Sequence, residues 1–407
     1  MADEMTLGFS GQALSDIVAL EDVLPILERL VGFDTTSHKS NLPLITFIED
    51  VLKGYGIASQ RIPNEAGDKS SLFASIGPTV EGGIGLSGHT DVVPVVGQAW
   101  ESDPFQLTRK GTRLFGRGST DMKGFLAVML AAVPLFQKAD LKKPVHLLFS
   151  YDEEVGCTGV RPMIELLGKG IARPDVVLVG EPSTSQVVEA HKGIYSFVTT
   201  VTGFEAHSSV LHQGVSAIMV AARLVEFLRL KQIELMTAGT DDRFDPPYST
   251  VHVGEIQGGT ARNIVARQCS FAFEVRALPG FNGEAIANEM MRFAEAELLP
   301  DMQAISKETG IETVLKGEVP GLAASPLAVE LGLTVARQNE AFAVSYGTEA
   351  GLFELAGVPC VICGPGHIEQ AHKPNEFIEE AELVKSLTVM GRVAEYLSLN
   401  RGDTGIV

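Results

Sequence analysis

Apolar residues recur along this chain with two different periods, and the places where the period switches divide it. Over 20–31 Leu, Val and Ile fall at helical spacing. The spacing returns over 42–52, with Asn41 placed to cap the helix and Pro43 in its first turn. Short continuous apolar runs at 71–76, 83–86, 145–149 and 175–179 have the pattern of strands buried on both faces. Between them, 122–137 predicts a helix with one buried stripe of Phe125, Val128, Met129 and Ala132. From about residue 187 the pattern changes. The segment 194–202 alternates like a half-exposed strand, 215–230 reads as a helix, 250–255 and 270–275 as strands, 283–299 as a helix and 313–318 as a last strand. The first pattern then resumes with a helix over 326–338, a strand over 341–345, a helix over 350–355, a strand over 358–362 and a closing helix over 380–396.

Strands alternating with helices predict an α/β fold, a mainly parallel sheet with helices on both faces. The β-α-β-β-α-β order of the middle segment predicts an inserted α+β two-layer sandwich. The expected division is a discontinuous first domain, residues 1–186 and 319–407, interrupted by a second domain over 187–318. A length of 407 residues suits more than one core.

Each strand assigned to the first domain leads into a residue with chemistry. The run at 83–86 delivers His89 and Asp91, the run at 145–149 leads into Asp152, Glu153 and Glu154, and the run at 175–179 ends at Glu181. A Gly/Pro loop beyond the strand at 358–362 carries His367 and His372. In an open α/β sheet the carboxyl edge is where ligands bind. His89 offers a neutral imidazole to a borderline metal, and Asp91 can take the proton on its other nitrogen and fix the tautomer. Asp121, where the turn Gly116 to Gly118 meets a helix, can give one carboxylate oxygen to each of two ions. His89, Asp121, Glu154, Glu181 and His372 together make a hydrolytic two-metal site, with ions about 3.5–4 Å apart. Any one of the carboxylates alone reads as a solvated or helix-capping group.

Charge and cysteine content narrow the partners. A formal net charge of −19 opposes a nucleic-acid backbone and an anionic membrane surface. Four cysteines are too few for a disulfide scaffold, and the opening residues lack a leader pattern, so a reducing cytoplasm is expected. No run of 18 uninterrupted apolar residues predicts a membrane span. Cys360-x-x-Cys363 has redox spacing but lies in an apolar strand without a second pair. Arg401-Gly402-Asp403 is assigned no role, and Gly116-x-Gly118 lacks the remaining spacing of a phosphate loop.

The sequence resembles the M20 family of metallopeptidases and amidohydrolases. The resemblance runs through SGHTDVVPV, FGRGSTDMKG, DEEVGCTG, EPS, GFEAHSS, GGTARNIV, VRALPG, YGTEAG and GPGHIEQAHKPNEF, in that order over nearly the whole chain. It implies that His89 and Glu181 bind one metal, Glu154 and His372 the other, and that Asp121 bridges them through a turn whose next peptide bond is cis. Asp91 would orient His89, and Glu153 would be the general base. The two ions are expected to be zinc, with cobalt or manganese as substitutes.

The inserted domain is implied to serve as a lid and to form a homodimer. His207 in it would reach the partner subunit's site, Asn263 would lie near the same oxyanion, and Arg276 would grip a substrate carboxylate, although Glu274-Val-Arg replaces the more frequent Asp-x-Arg. Gly347 and Thr348 would contact that carboxylate. The implied substrate is a small-molecule N-acyl amino acid, N-acetylornithine first. Succinyl-diaminopimelate, N-acetylcitrulline and other N-acyl amino acids are alternatives, and a non-catalytic metal-binding scaffold is the alternative of another class. For the ornithine ammonium the candidate partner is Glu349, which can equally be the cap of the helix that begins at Ala350.

Overall fold

The computed structural model describes residues 16–399, so the opening segment and Arg401-Gly402-Asp403 lie outside the described residues. The chain forms two compact units. The first comprises Met1–Glu189, Ala324–Phe342 and Thr348–Val407, and the second Ala190–Ala323 with Ala343–Gly347.

An eight-stranded sheet runs through the first unit in the order Ser59–Pro63, Ser70–Ile76, Val145–Ser150, Ile84–His89, Val176–Pro182, Cys360–Gly364, Val188–His191, Phe342–Val344. The four central strands, Val145–Ser150 to Cys360–Gly364, are mutually parallel. Every residue in them is buried, which is why they read as unbroken apolar runs. Their common direction brings four carboxyl ends, and the acidic and imidazole residues that follow, to one edge. Ser59–Pro63 was not visible as a strand because it is an edge strand with polar and exposed positions. Phe377–Glu379, Arg113–Phe115 and Thr108–Lys110 form a small separate sheet, each too short to carry a period.

Two sequence expectations are corrected here. The helix predicted over 122–137 is broken: a distorted turn Ser119–Lys123, containing the cis peptide Asp121-Met122, leads into Gly124–Ala131, and a second helix runs over Val133–Lys138. Gly124–Ala131 is buried on every side rather than along one stripe. It lies between the strands Ile84–His89 and Val176–Pro182 and the helices Leu20–Val31 and Glu380–Ser398, so no face meets water. The stretch Ser119–Lys138 is therefore long and apolar enough to cross a membrane, yet 94% of its most apolar window is buried inside the protein. Asn41 precedes the helix Leu42–Gly54 but makes no side-chain cap. Its amide instead donates to the Ser70 carbonyl and the Thr90 hydroxyl and accepts from the Ser70 N–H, tying the helix to the sheet.

The second unit is a four-stranded antiparallel sheet in the order Thr250–Gly258, Gln268–Ala277, Gly193–Thr202, Gly310–Val319. Strict alternation of buried and half-exposed residues along Gly193–Thr202 and Gln268–Ala277 directs Tyr195, Phe197, Phe271 and Phe273 into a core. The helices Ala217–Ala238 and Glu284–Glu297 supply Leu224, Leu228, Ile286 and Met290 to the same core. A further helix, Leu299–Ile305, contributes Met302.

Gly180 decides how closely the central helix approaches the sheet. A Cβ there would lie 2.0 Å from the Phe125 ring, and Phe125 is fully buried. Gly180→Ala is expected to destabilise the protein by about 1–3 kcal/mol through overpacking, read from chemical denaturation. Wild-type stability in that variant would show that the ring moves aside freely.

Candidate metal centre

His89 ends its strand and is 1% exposed. Its Nδ1 lies 2.9 Å from the Asp91 carbonyl oxygen and 3.5 Å from Asp91 Oδ1. A carbonyl can only accept, so Nδ1 carries the proton and the lone pair of the neutral ring sits on Nε2. The hydrogen-bond contact of Nδ1 is with the Asp91 backbone oxygen rather than with the carboxylate expected to take the proton. The Nε2 lone pair faces Asp121 Oδ1 at 3.0 Å and Glu181 Oε1 at 3.6 Å. In the neutral ring these are acceptors facing an acceptor, an arrangement that becomes favourable with a proton or a metal ion on Nε2; burial opposes the charged ring, but Asp121 and Asp91 raise the His89 imidazole well above its ordinary value.

The other half of the site is built alike. His372 Nε2 lies 3.0 Å from Glu154 Oε2 and 3.3 Å from Asp121 Oδ2. Asp121 therefore turns one oxygen toward each imidazole. Ligand atoms of His89, Asp121 and Glu154 lie within 4.8 Å of one another, as do those of His89, Glu153 and Glu181. Glu181 Oε1 is buried without a hydrogen-bond partner. An orphaned carboxylate oxygen and two imidazoles aimed at one shared carboxylate form a donor set that fits two divalent ions.

The electrostatics point the same way. Burial raises the Glu153 carboxyl well above the usual carboxylate range, with His89 opposing and the Glu154 charge adding to the rise. Burial and then the Asp121 charge raise Glu181 well above that range and Glu154 to about 7. Burial also works against the Asp121 anion, but hydrogen bonds to His372 and His89 outweigh it and hold Asp121 well below its ordinary value. Contacts with Asp121 and Glu154 push the His372 imidazole up to about 10. A pocket that so favours added positive charge favours a metal ion.

Asp91 does more than was expected of it. Its Oδ1 accepts the Glu153 N–H at 3.1 Å, and its Oδ2 accepts the Ser37 hydroxyl at 2.7 Å and the Glu154 N–H at 3.3 Å. One aspartate thereby holds a ligand histidine and the turn that carries Glu153 and Glu154. Lys69, donating to both Asp152 oxygens, pins the preceding residue in its left-handed conformation.

Sequence reasoning missed Glu376. This residue, four beyond His372, is 1% exposed and accepts from the backbone N–H groups of Gly118, Thr120 and Asp121 and from Arg117. A glutamate in a Gly/Pro-rich stretch reads as solvated, and its only signal was that the motif continues past the ligand to HKPNEF.

Other expected residues fall elsewhere. Glu349 is fully buried, and its two oxygens accept the hydroxyls of Ser87 and Ser150, each at 2.6 Å. It makes no side-chain cap, and it offers no oxygen to a substrate, so both roles expected of it are corrected. The cap contact comes from Thr348, which is 1% exposed and whose hydroxyl accepts the Ala350 N–H. In the second unit His207 and Asn263 are both exposed, and the Ser208 N–H donates to the Asn263 carbonyl at 3.1 Å, which puts the two side by side. Arg276, half-exposed, is forked onto Glu274 at 3.0 and 3.3 Å. Gly347 packs where a Cβ would meet Ile194 at 2.8 Å.

The model of peptidase family M20/M25/M40 matches residues 85–396. The chain belongs to that family. Among curated relatives it is 33% identical over 393 residues to the acetylornithine deacetylase of Myxococcus xanthus, covering 93% of this chain and 99% of that one. The acetylornithine deacetylase of Pasteurella multocida is 34% identical over 349 residues, with 85% and 89% covered. Among solved structures, aminopeptidase PepT from Bacillus cereus aligns with a TM-score of 0.71 at 19% identity, covering 94% and 100%. A dinuclear metal binding peptidase of the M20 family from Bacillus subtilis aligns with a TM-score of 0.67 at 15% identity, covering 93% and 98%. The M20 chain described here is accordingly a hydrolase of that family with a mixed α/β fold and a candidate metal site.

The burial of Glu349 yields a test. Glu349→Ala is expected to lower stability by about 1–3 kcal/mol, because two buried hydroxyls lose their acceptor. Its kcat/KM should fall by the same factor on N-acyl amino acids with and without a side-chain ammonium. A selective loss on the cationic substrate would return Glu349 to the substrate pocket.

Proposed function

We propose that this M20 enzyme removes the acetyl group from N2-acetyl-L-ornithine, releasing L-ornithine and acetate in arginine biosynthesis. The observation that carries the hydrolytic reading is the Asp121 carboxylate, one oxygen turned toward each imidazole. The substrate is supported by the names of the relatives that align over most of the chain.

His89 and Glu181 would hold one ion, Glu154 and His372 the other, with Asp121 shared between them. Zinc is the proposed metal, with cobalt or manganese as substitutes, because its preference for mixed nitrogen and oxygen ligands matches this set. When bound, the ions would supply polarisation of the acyl carbonyl and a lowered pKa for the attacking water. Glu153 takes that water's proton as the carbon–oxygen bond forms and delivers it to the α-nitrogen as the carbon–nitrogen bond breaks. Its elevated affinity for a proton suits both transfers. Asp91 keeps the His89 tautomer fixed throughout.

In this reading the second unit is a lid and dimerisation domain. His207 and Asn263, exposed and adjacent, donate to the oxyanion of the tetrahedral intermediate. Arg276 exchanges Glu274 for the substrate carboxylate, with Gly347 providing backbone contact. A homodimer is supported by the exposed edge strand Thr250–Gly258, which carries Ile256 at 53% exposure, and by Met219, Leu230, Ile233 and Met236 exposed on Ala217–Ala238. A cytoplasmic location accords with four free, buried thiols.

Two measurements test the reading. Protein reloaded with zinc or cobalt is offered N-acetylornithine, N-acetylcitrulline, N-acetylmethionine and succinyl-diaminopimelate. N-acetylornithine should show the highest kcat/KM, preference for another compound reassigns the substrate, and no turnover of any of them favours the scaffold. Glu153→Ala should retain both ions and lose about 10²–10⁴ in kcat, the usual contribution of a general base. Loss of an ion in this variant would make Glu153 a ligand.

A further inference from the structure

The two imidazoles of the centre are held by different means. Asp91 holds the His89 ring directly, whereas among the described residues no hydrogen-bond partner faces Nδ1 of His372, whose side chain is 56% exposed. What aims His372 must therefore act on its backbone, which has φ 62° in the left-handed region. Gln98 donates from Nε2 to the His372 carbonyl at 2.9 Å, and Arg117 donates to the neighbouring Lys373 carbonyl at 3.4 Å. Gln98 Oε1 accepts from Arg117 and from the Trp100 indole, and the Arg117 guanidinium lies over the Trp100 ring. Arg117 is in turn paired with Glu376 at 2.7 Å, a pair in which both side chains are at most 1% exposed. The remaining capacity of Glu376 is taken by the N–H groups of Gly118, Thr120 and Asp121 at 2.9 to 3.1 Å.

We infer that Glu376, Arg117 and Gln98 are positioning residues that set His372 against the shared Asp121 and so determine the affinity of the second ion. The inference rests on the dinuclear assignment above. A buried carboxylate receiving three backbone donors and a guanidinium is a rigid anchor, since removal of any partner leaves a buried polar group unpaired. Its two arms end on the two ligands, one at the Asp121 backbone nitrogen and the other, through Arg117 and Gln98, at the His372 carbonyl. Among the described residues this chain of contacts reaches the first ion's ligands only through Asp121, whereas the Gln98 arm ends on His372 alone, so Gln98 bears on the second ion without touching the first.

Glu376→Gln keeps the size of the side chain but replaces one acceptor oxygen by a donor that faces other donors. Gln98→Ala removes the contact to His372 from a half-buried position with little risk to folding. Metal-stripped protein is titrated with zinc by calorimetry, with cobalt absorption as an independent count of occupied sites. Wild type should take up two ions. In Glu376→Gln the site that includes His372 should lose about 10- to 100-fold in affinity, the usual effect of altering a group behind a metal ligand, and the other site should lose less, through Asp121 alone. Gln98→Ala should weaken the same site to a smaller extent, and in both variants kcat should fall at saturating substrate with KM little changed. Wild-type affinities at both sites in Gln98→Ala, or equal weakening of both sites in the two variants, would overturn the inference. If Glu376→Gln does not fold, Gln98→Ala alone decides. Wild-type protein that binds fewer than two ions would overturn the dinuclear assignment and this inference with it.

Discussion

Carboxylates crowded at the edge of an apolar sheet repel one another, and much of the first unit is arranged around that repulsion. Asp91, Asp121, Glu153, Glu154 and Glu181 are drawn into one small volume where burial already disfavours their anions. The contacts that tolerate them are fixed by the fold: the Ser37 hydroxyl and two backbone N–H groups donate to Asp91, and an imidazole nitrogen faces each oxygen of Asp121 and one oxygen of Glu154. The surrounding layer repeats the device, with Glu376 saturated by Arg117 and three backbone donors and Glu349 held between two serines. Glu181 Oε1 is left without a hydrogen-bond partner, so the donors fixed by the fold do not satisfy every one of these buried acids.

The architecture was legible where burial is uniform. Strands buried on both faces produce unbroken apolar runs, and strands with one buried face produce alternation, so both sheets could be read from spacing. What could not be read depends on partners distant in sequence. Asn41 looks like a helix cap until Ser70 and Thr90 are placed beside it. Gly124–Ala131 looks one-sided until packing on all sides is known. Glu349, directly before a helix, carried two local interpretations, and both yielded to hydroxyls more than 190 residues away in the chain. The grouping of His89, Asp121, Glu154, Glu181 and His372 was legible because parallel strands share one carboxyl edge. Glu376 was not, because its work is done on backbone donors, and these leave no trace in side-chain pattern.

The second unit shows a different economy of charge. Its sheet alternates cleanly, and Arg276 lies on the half-exposed face with Glu274 two residues away on the same strand. A guanidinium matched by a neighbouring carboxylate is kept oriented and partly desolvated without being buried, and an incoming anion has to compete with that partner.

The first unit is assembled from segments on either side of most of the second, and this bears on synthesis at the ribosome. Residues up to Glu189 emerge with Val176–Pro182 still lacking its neighbour, since Cys360–Gly364 arrives more than 170 residues later. The four strands and helices of the second unit all lie within Ala190–Ala323 and can close first, whereas the first must wait with an apolar strand edge unpaired and its central helix lacking the cover of Glu380–Ser398. A chain cut short before Cys360 therefore lacks a central strand of a domain begun at the N-terminus and leaves the apolar edge of Val176–Pro182 open to pairing with other chains.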